Sequence, residues 1–127
     1  MRLRVLMAMV VLTLSRVALA AFGFARVRRL LARSRAVTAR ADDASRARAW
    51  AKAVVRAGQR LPFRTTCLDR SIALWWLLRA TRIGGEIRIG VRAGEPLEAH
   101  AWVEHAGVVL YDDEAPGFAA FDDPVLQ

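Results

Sequence analysis

The sequence predicts an α+β fold in which helices come first and a small antiparallel sheet follows. From the N-terminus to about residue 82, apolar residues recur every three to four positions, the period of helices with one inward face. From residue 86 they recur every second position, the period of strands. The change falls on Gly84-Gly85, where a helix is expected to stop. Turn residues at 93–96 and 105–107 then cut the second half into strand-length pieces. At 127 residues the chain suits one structural unit with one modest core. Within it, residues 1–60 are expected to form a helical region packed on a core made by residues 61–127.

The net charge of +8 is carried by nineteen arginines and a single lysine, Lys52. Such a charge favours acidic peptides, anionic membrane surfaces or nucleic acid. Zinc-finger spacing and basic stretches interleaved with aromatics are missing, so nucleic acid is not an expected partner. Cys67 is the only cysteine, which rules out an internal disulfide and fits a reducing compartment. The two histidines, His100 and His105, lie five apart and face opposite sides of a strand, so no metal site is expected. No glycine-rich loop follows a strand to cradle phosphates, and no cofactor is expected.

Residues 1–25 allow two readings. Arg2 and Arg4 precede an apolar run over 5–14, and Ala18-Leu19-Ala20 resembles a cleavage site, the outline of a secretory signal. Alternatively, Leu6, Val10, Leu14, Val17 and Ala21 recur at spacings of three and four, as the buried face of a folded helix would. Arg16 opposes a simple membrane span, because a charge inside one costs about 2.5–3.5 kcal/mol. Composition alone leaves the two readings level. Residues 24–35 form a second amphipathic piece, with Val27, Leu30 and Leu31 against five arginines. Residues 38–60 form a third helix, ended by Gly58 and Pro62. Asp42 and Asp43 come early and Arg46, Arg48, Lys52, Arg56 and Arg60 later, the order that the helix dipole favours. Ala47, Trp50, Val54 and Ala57 make its apolar side.

The helix over 66–82 opens on Thr66, with Asp69 three residues on, a capping-box pattern. Leu68, Ile72, Leu74, Trp75, Trp76 and Leu78 make it apolar nearly all round, so it is expected to be a buried central helix. Cys67 falls in its first turn, where free backbone N–H groups and the positive end of the macrodipole favour a thiolate. Asp69 opposes this if its carboxylate points at the sulfur, so a histidine is needed as well. Strands are predicted over 86–92, 99–104 and 108–112, with an irregular, acidic tail over 113–127. A hairpin turning at 105–107 pairs the second and third strands and brings His100 beside Asp112. Asp113 is the alternative partner, since a one-residue slip reverses which way a strand residue faces.

Taken singly, each of these residues reads as structural, and a free cysteine is most often a small buried hydrophobe. Cys67, His100 and Asp112 in this order on helix, strand and strand read as nucleophile, base and the group that orients the base. The backbone N–H of Cys67 is the expected oxyanion donor, with Gln59 a weaker candidate. Asp69 and Arg70 are assigned structural roles, Trp75, Trp76 and Trp102 are assigned to the core, and His105 is given no role.

The order matches that of the transglutaminase-like, papain-related fold. The strings Cys67-Leu68-Asp69-Arg70-Ser71-Ile72-Ala73-Leu74, Ile87-Arg88-Ile89-Gly90-Val91-Arg92 and Ala99-His100-Ala101-Trp102-Val103-Glu104 resemble the leader peptidases of lasso peptide biosynthesis, over residues 60–112. The resemblance implies a cysteine peptidase that removes the leader from a ribosomally made precursor peptide, with Cys67 as nucleophile, His100 as base and Asp112 as third member. It implies three partners: the precursor's leader, a separate small leader-recognition protein, and an ATP-dependent macrolactam cyclase that takes the freed core. The recognition protein is expected to be separate because residues 1–60 read as helical, without the three-strand pattern of a fused recognition domain. The resemblance also favours a structural helix of a cytoplasmic protein over a cleaved signal for residues 1–25, and leaves peripheral membrane contact open. Two alternatives stay beside it: acyl transfer to an amine by the same triad, and a non-catalytic peptide- or partner-binding module on the same fold.

Overall fold

The computed structural model describes residues 1–112 and 114–127. The elements are α1 (Arg2–Phe22), α2 (Phe24–Ala32), α3 (Ala44–Arg60), α4 (Cys67–Ala80), β1 (Glu86–Arg92), β2 (Glu98–His105), β3 (Val108–Val109) and β4 (Ala119–Ala120), with 3-10 turns at Ala41–Asp43 and Ala115–Gly117. Helices precede an antiparallel sheet of order β3-β2-β1-β4, the α+β arrangement that the change of period predicts.

Helix α4 is the centre of the molecule. Ile72, Ala73, Leu74, Trp75, Leu77 and Leu78 are all buried, and the helix packs against α1, α3 and β2. Its end differs from expectation. The helix stops at Ala80, and Arg82 rather than a glycine takes the left-handed position at φ 60°. The N–H of Ile83 then donates back to the carbonyl of Leu78 and that of Arg82 to Arg79, so the last carbonyls are satisfied in a Schellman arrangement. Gly84 has another task. A Cβ there would lie 2.3 Å from the backbone nitrogen of Ala39, so only glycine lets the segment before α3 cross it. That crossing also explains why α3 begins at Ala44 and not at residue 38: Arg40 is extended. The ring of His105 holds the crossing, with Nδ1 2.6 Å from the Gly84 carbonyl and Nε2 2.9 Å from the Arg40 carbonyl. His105, given no role from the sequence, is thus a buried tie between β2 and the helical half.

Helix α1 folds onto α3 and α4, but with the opposite face to the one expected. Val5, Ala8, Leu12 and Ser15 are buried, and the first three join the main core. Leu6, Val10, Leu14 and Val17, expected inside, are each more than half exposed. Both faces are apolar at helical spacing, so periodicity alone does not choose between them. The buried face is the one with small side chains, Ala8 and Ser15, which lets the helix axes approach closely.

In the sheet, β1 pairs with β2 over its full length, with Ile89 opposite Ala101 and Gly90 opposite His100. A Cβ on Gly90 would sit 2.8 Å from the Trp102 ring and 2.9 Å from the Ala119 carbonyl oxygen, so the glycine in Arg88-Ile89-Gly90-Val91 is a close-packing requirement. Strand β3 is shorter than expected. Leu110 still donates to the Val103 carbonyl, but Tyr111 at φ 44° turns the chain off the sheet. The tail is less irregular than its composition suggests. It adds β4 to the edge of β1, and Val125 and Leu126 continue the cover by bonding Ile87. Arg79 anchors it by donating to the carbonyls of Gln127 and Arg35, with its guanidinium 4.2 Å over the Trp75 ring. Burial pushes the Arg79 pKa down from its ordinary value.

Candidate functional site

The N-terminus of α4 is fixed by a complete capping box. The Thr66 side chain accepts from the Asp69 N–H at 3.1 Å, and the Asp69 carboxylate accepts from the Thr66 N–H at 2.9 Å. Cys67 is the first residue of the helix and half-buried. Asp69, two residues on, is buried, and its carboxylate is turned back along the cap. The guanidinium of Arg16, from α1, lies 3.5 Å from that carboxylate and also donates to the Arg64 carbonyl at 2.8 Å. The negative charge that opposes a thiolate at Cys67 is therefore committed to a backbone N–H and countered by an arginine. Arg70 ties the loop ahead of the helix, donating to the Thr65 carbonyl at 2.7 Å and to its hydroxyl at 3.2 Å.

His100 and Asp112 are brought together as the hairpin predicts. Nε2 of His100 lies 2.6 Å from a carboxylate oxygen of Asp112, and the histidine is buried. The other carboxylate oxygen of Asp112 accepts from the backbone N–H groups of Glu114 and Ala115, at 3.0 and 3.1 Å. Asp112 is thus both a turn cap and the partner of the ring, with each oxygen serving one task. The ring rests against Phe118, 5.1 Å between centroids, and against Trp102, 6.0 Å. With Nε2 occupied, Nδ1 is the nitrogen left for a reacting group, and among the described residues the exposed Glu114 carboxylate lies 4.0 Å from it. Asp113, the alternative to Asp112, lies outside the described residues.

Cys67 and Asp112 line one small cavity of about 60 Å³, together with Arg70, Ser71, Ala101 and Trp102. Ala101 and Trp102 are the residues that follow His100 on β2. Among the described residues, no hydrogen bond joins the Cys67 sulfur to the His100 ring, whose partner is Asp112. Beside this cavity a wider groove of about 620 Å³ runs along the α3–α4 loop, past Leu61, Pro62 and Phe63; Val55 and Arg70 line both. Gln59 lines the groove and not the cavity that holds Cys67. Two residues around the site have no signal in the sequence. Arg16 is distant in the chain from Asp69, and Phe118 lies in a tail without strand periodicity.

Searches of curated proteins and of solved structures give no match. A family model described as Transglutaminase-like superfamily matches residues 9–122, which takes in most of α1, all of α2 and α3, and the segments that carry Cys67, His100 and Asp112. Across nine-tenths of its length, therefore, the chain belongs to the transglutaminase-like superfamily.

Proposed function

We propose that the protein is a cysteine peptidase that removes the leader from a ribosomally synthesised lasso peptide precursor. The observation that carries the chemistry is the pair of buried His100 and half-buried Asp112 beside the cavity lined by Cys67. The strings around Cys67, Ile87 to Arg92 and His100 support the choice of substrate, and superfamily membership supports thiol-based acyl chemistry.

In this reading, Nδ1 of His100 takes the proton from the Cys67 thiol, and Asp112 holds the imidazolium that forms. The thiolate attacks the carbonyl of the last leader residue, and the oxyanion is met by the free N–H at the start of α4. The C–N bond breaks, and the imidazolium gives its proton to the departing amine of the core peptide. The leader is left on Cys67 as a thioester. Water, deprotonated by His100, then releases the leader acid and restores the thiol. In this reading the leader lies beside Arg70, in the groove past Phe63 that leads to Cys67. A leader-recognition protein presents the precursor, and a macrolactam cyclase takes the freed core.

The test is mass spectrometry of a cognate precursor incubated with this protein and its leader-recognition partner, beside Cys67→Ala. Intact protein is expected to yield leader acid and core, and the variant neither. Cleavage by both proteins contradicts the role of Cys67. Cleavage by neither contradicts the peptidase reading and favours a binding module.

A further inference from the structure

The net positive charge of this chain is confined to one part of it. Residues 1–41 hold nine arginines and no acidic residue, while the remaining 86 residues hold eleven basic and twelve acidic groups. The positive excess therefore sits on α1, α2 and the segment that follows. The same part carries nine of the fifteen large hydrophobic side chains that are exposed among the described residues. Leu3, Leu6, Val10, Leu14 and Val17 stand on one face of α1 at spacings of three and four, 54 to 69% exposed. Leu14 also lines an apolar groove of about 520 Å³ where α1, α2 and α4 meet, with Phe22, Leu30 and Trp76 beside it and Arg26 and Arg33 among its lining. A contiguous apolar surface of this kind marks a contact site.

We infer that this face docks on an anionic lipid bilayer, with α1 lying in the plane of the interface. Three features select lipid. An apolar surface whose charged lining residues, Arg26, Arg29 and Arg33, are all arginines matches acyl chains beneath acidic headgroups, whereas a partner with a neutral surface would leave the arginines unmatched. A second copy of the chain would bring Arg26, Arg29 and Arg33 of the groove against the same arginines of its partner. The half-exposed Trp76 at the groove is the amphipathic residue type that settles at a headgroup boundary. Helix α1 is long and apolar enough to cross a membrane. Crossing is inconsistent with the fold, because Val5, Ala8 and Leu12 are packed in the core and Arg16 holds the start of α4. Lying flat satisfies both faces at once. The inference does not depend on the peptidase reading.

The test is flotation of the full chain with vesicles of pure phosphatidylcholine and of phosphatidylcholine mixed with phosphatidylglycerol, at low and physiological salt. Binding is expected to the mixed vesicles, weakened by salt, and at least about tenfold weaker to the neutral ones. The triple variant Leu6→Ser, Val10→Ser, Leu14→Ser is expected to bind about a hundredfold more weakly. The variant Arg26→Gln, Arg33→Gln keeps the apolar face and is expected to lose about fivefold for each charge on the anionic vesicles only. Far-ultraviolet circular dichroism checks that the variants are folded, and the arginine variant alone suffices if the triple variant is not. No binding to anionic vesicles, or equal binding to both compositions, overturns the inference. So does a wild-type dimer in sedimentation that the triple variant dissolves, since the occupant is then a second copy.

Discussion

Asp112 shows how one side chain can carry a fold task and a chemical one. One carboxylate oxygen closes the turn into Glu114 and Ala115, and the other holds His100. The two tasks separate by substitution. Asp112→Asn keeps an amide oxygen for the turn but removes the charge that steadies an imidazolium. It is expected to stay folded and to lose about 10²- to 10⁴-fold in kcat. Asp112→Ala is expected to lose the same activity and in addition about 1 kcal/mol of stability, because two turn N–H groups lose their acceptor. Comparing thermal melts and turnover of the two variants checks this. The pairing of His100 with Asp112 was legible because a hairpin turning at 105–107 brings the start of one strand near the end of the next. The way it is achieved was not. The predicted strand through Asp112 ends at Val109, and Tyr111 swings the carboxylate in from a loop. A left-handed tyrosine leaves no mark in hydropathy.

Among the elements, the start of α4 was legible, because Thr66 and Asp69 are a local signal and the capping box depends on nothing distant, whereas its end at Ala80 and the exposure of Trp76, assigned to the core, were not. Helix α1 was legible as a helix and misread as to its face. Two apolar stripes at the same spacing differ only in side-chain size, and the smaller one is buried. Leu12, fully buried, and Arg16, at the start of α4, tie α1 to the site. Leu12→Ala is expected to cost about 2–5 kcal/mol in urea unfolding, an amount that a helix merely resting on the core would not lose. Arg16→Gln is expected to leave the fold intact while slowing iodoacetamide alkylation of Cys67 at neutral pH. The uncompensated Asp69 carboxylate then lies two residues from the sulfur. The slowing is at most about fivefold, since a half-exposed ion pair is worth no more than about 1 kcal/mol. An unchanged alkylation rate would show that Arg16 has no electrostatic influence on the thiol.

Over the whole molecule, the sequence announced helices then sheet, and the helix bearing Cys67 at the centre. It did not announce β4 or the anchoring of the tail. Strand β4 is Ala119–Ala120, held by main-chain bonds to β1, and such pairing needs no side-chain pattern. Nor did it announce the contact of the segment before α3 with Gly84, which only spatial neighbours reveal. These long-range ties join the N-terminal helices to the sheet and make the superfamily match over residues 9–122 physically sensible, since α1 supplies core to α4. The central claim is that Cys67 carries the leader as a thioester. The most direct measurement is to cleave a cognate precursor in the presence of hydroxylamine and weigh the released leader. Leader hydroxamate from the wild type, and no leader product from Cys67→Ala, is the predicted result. Leader acid alone at every hydroxylamine concentration, or hydroxamate from both proteins, would contradict it.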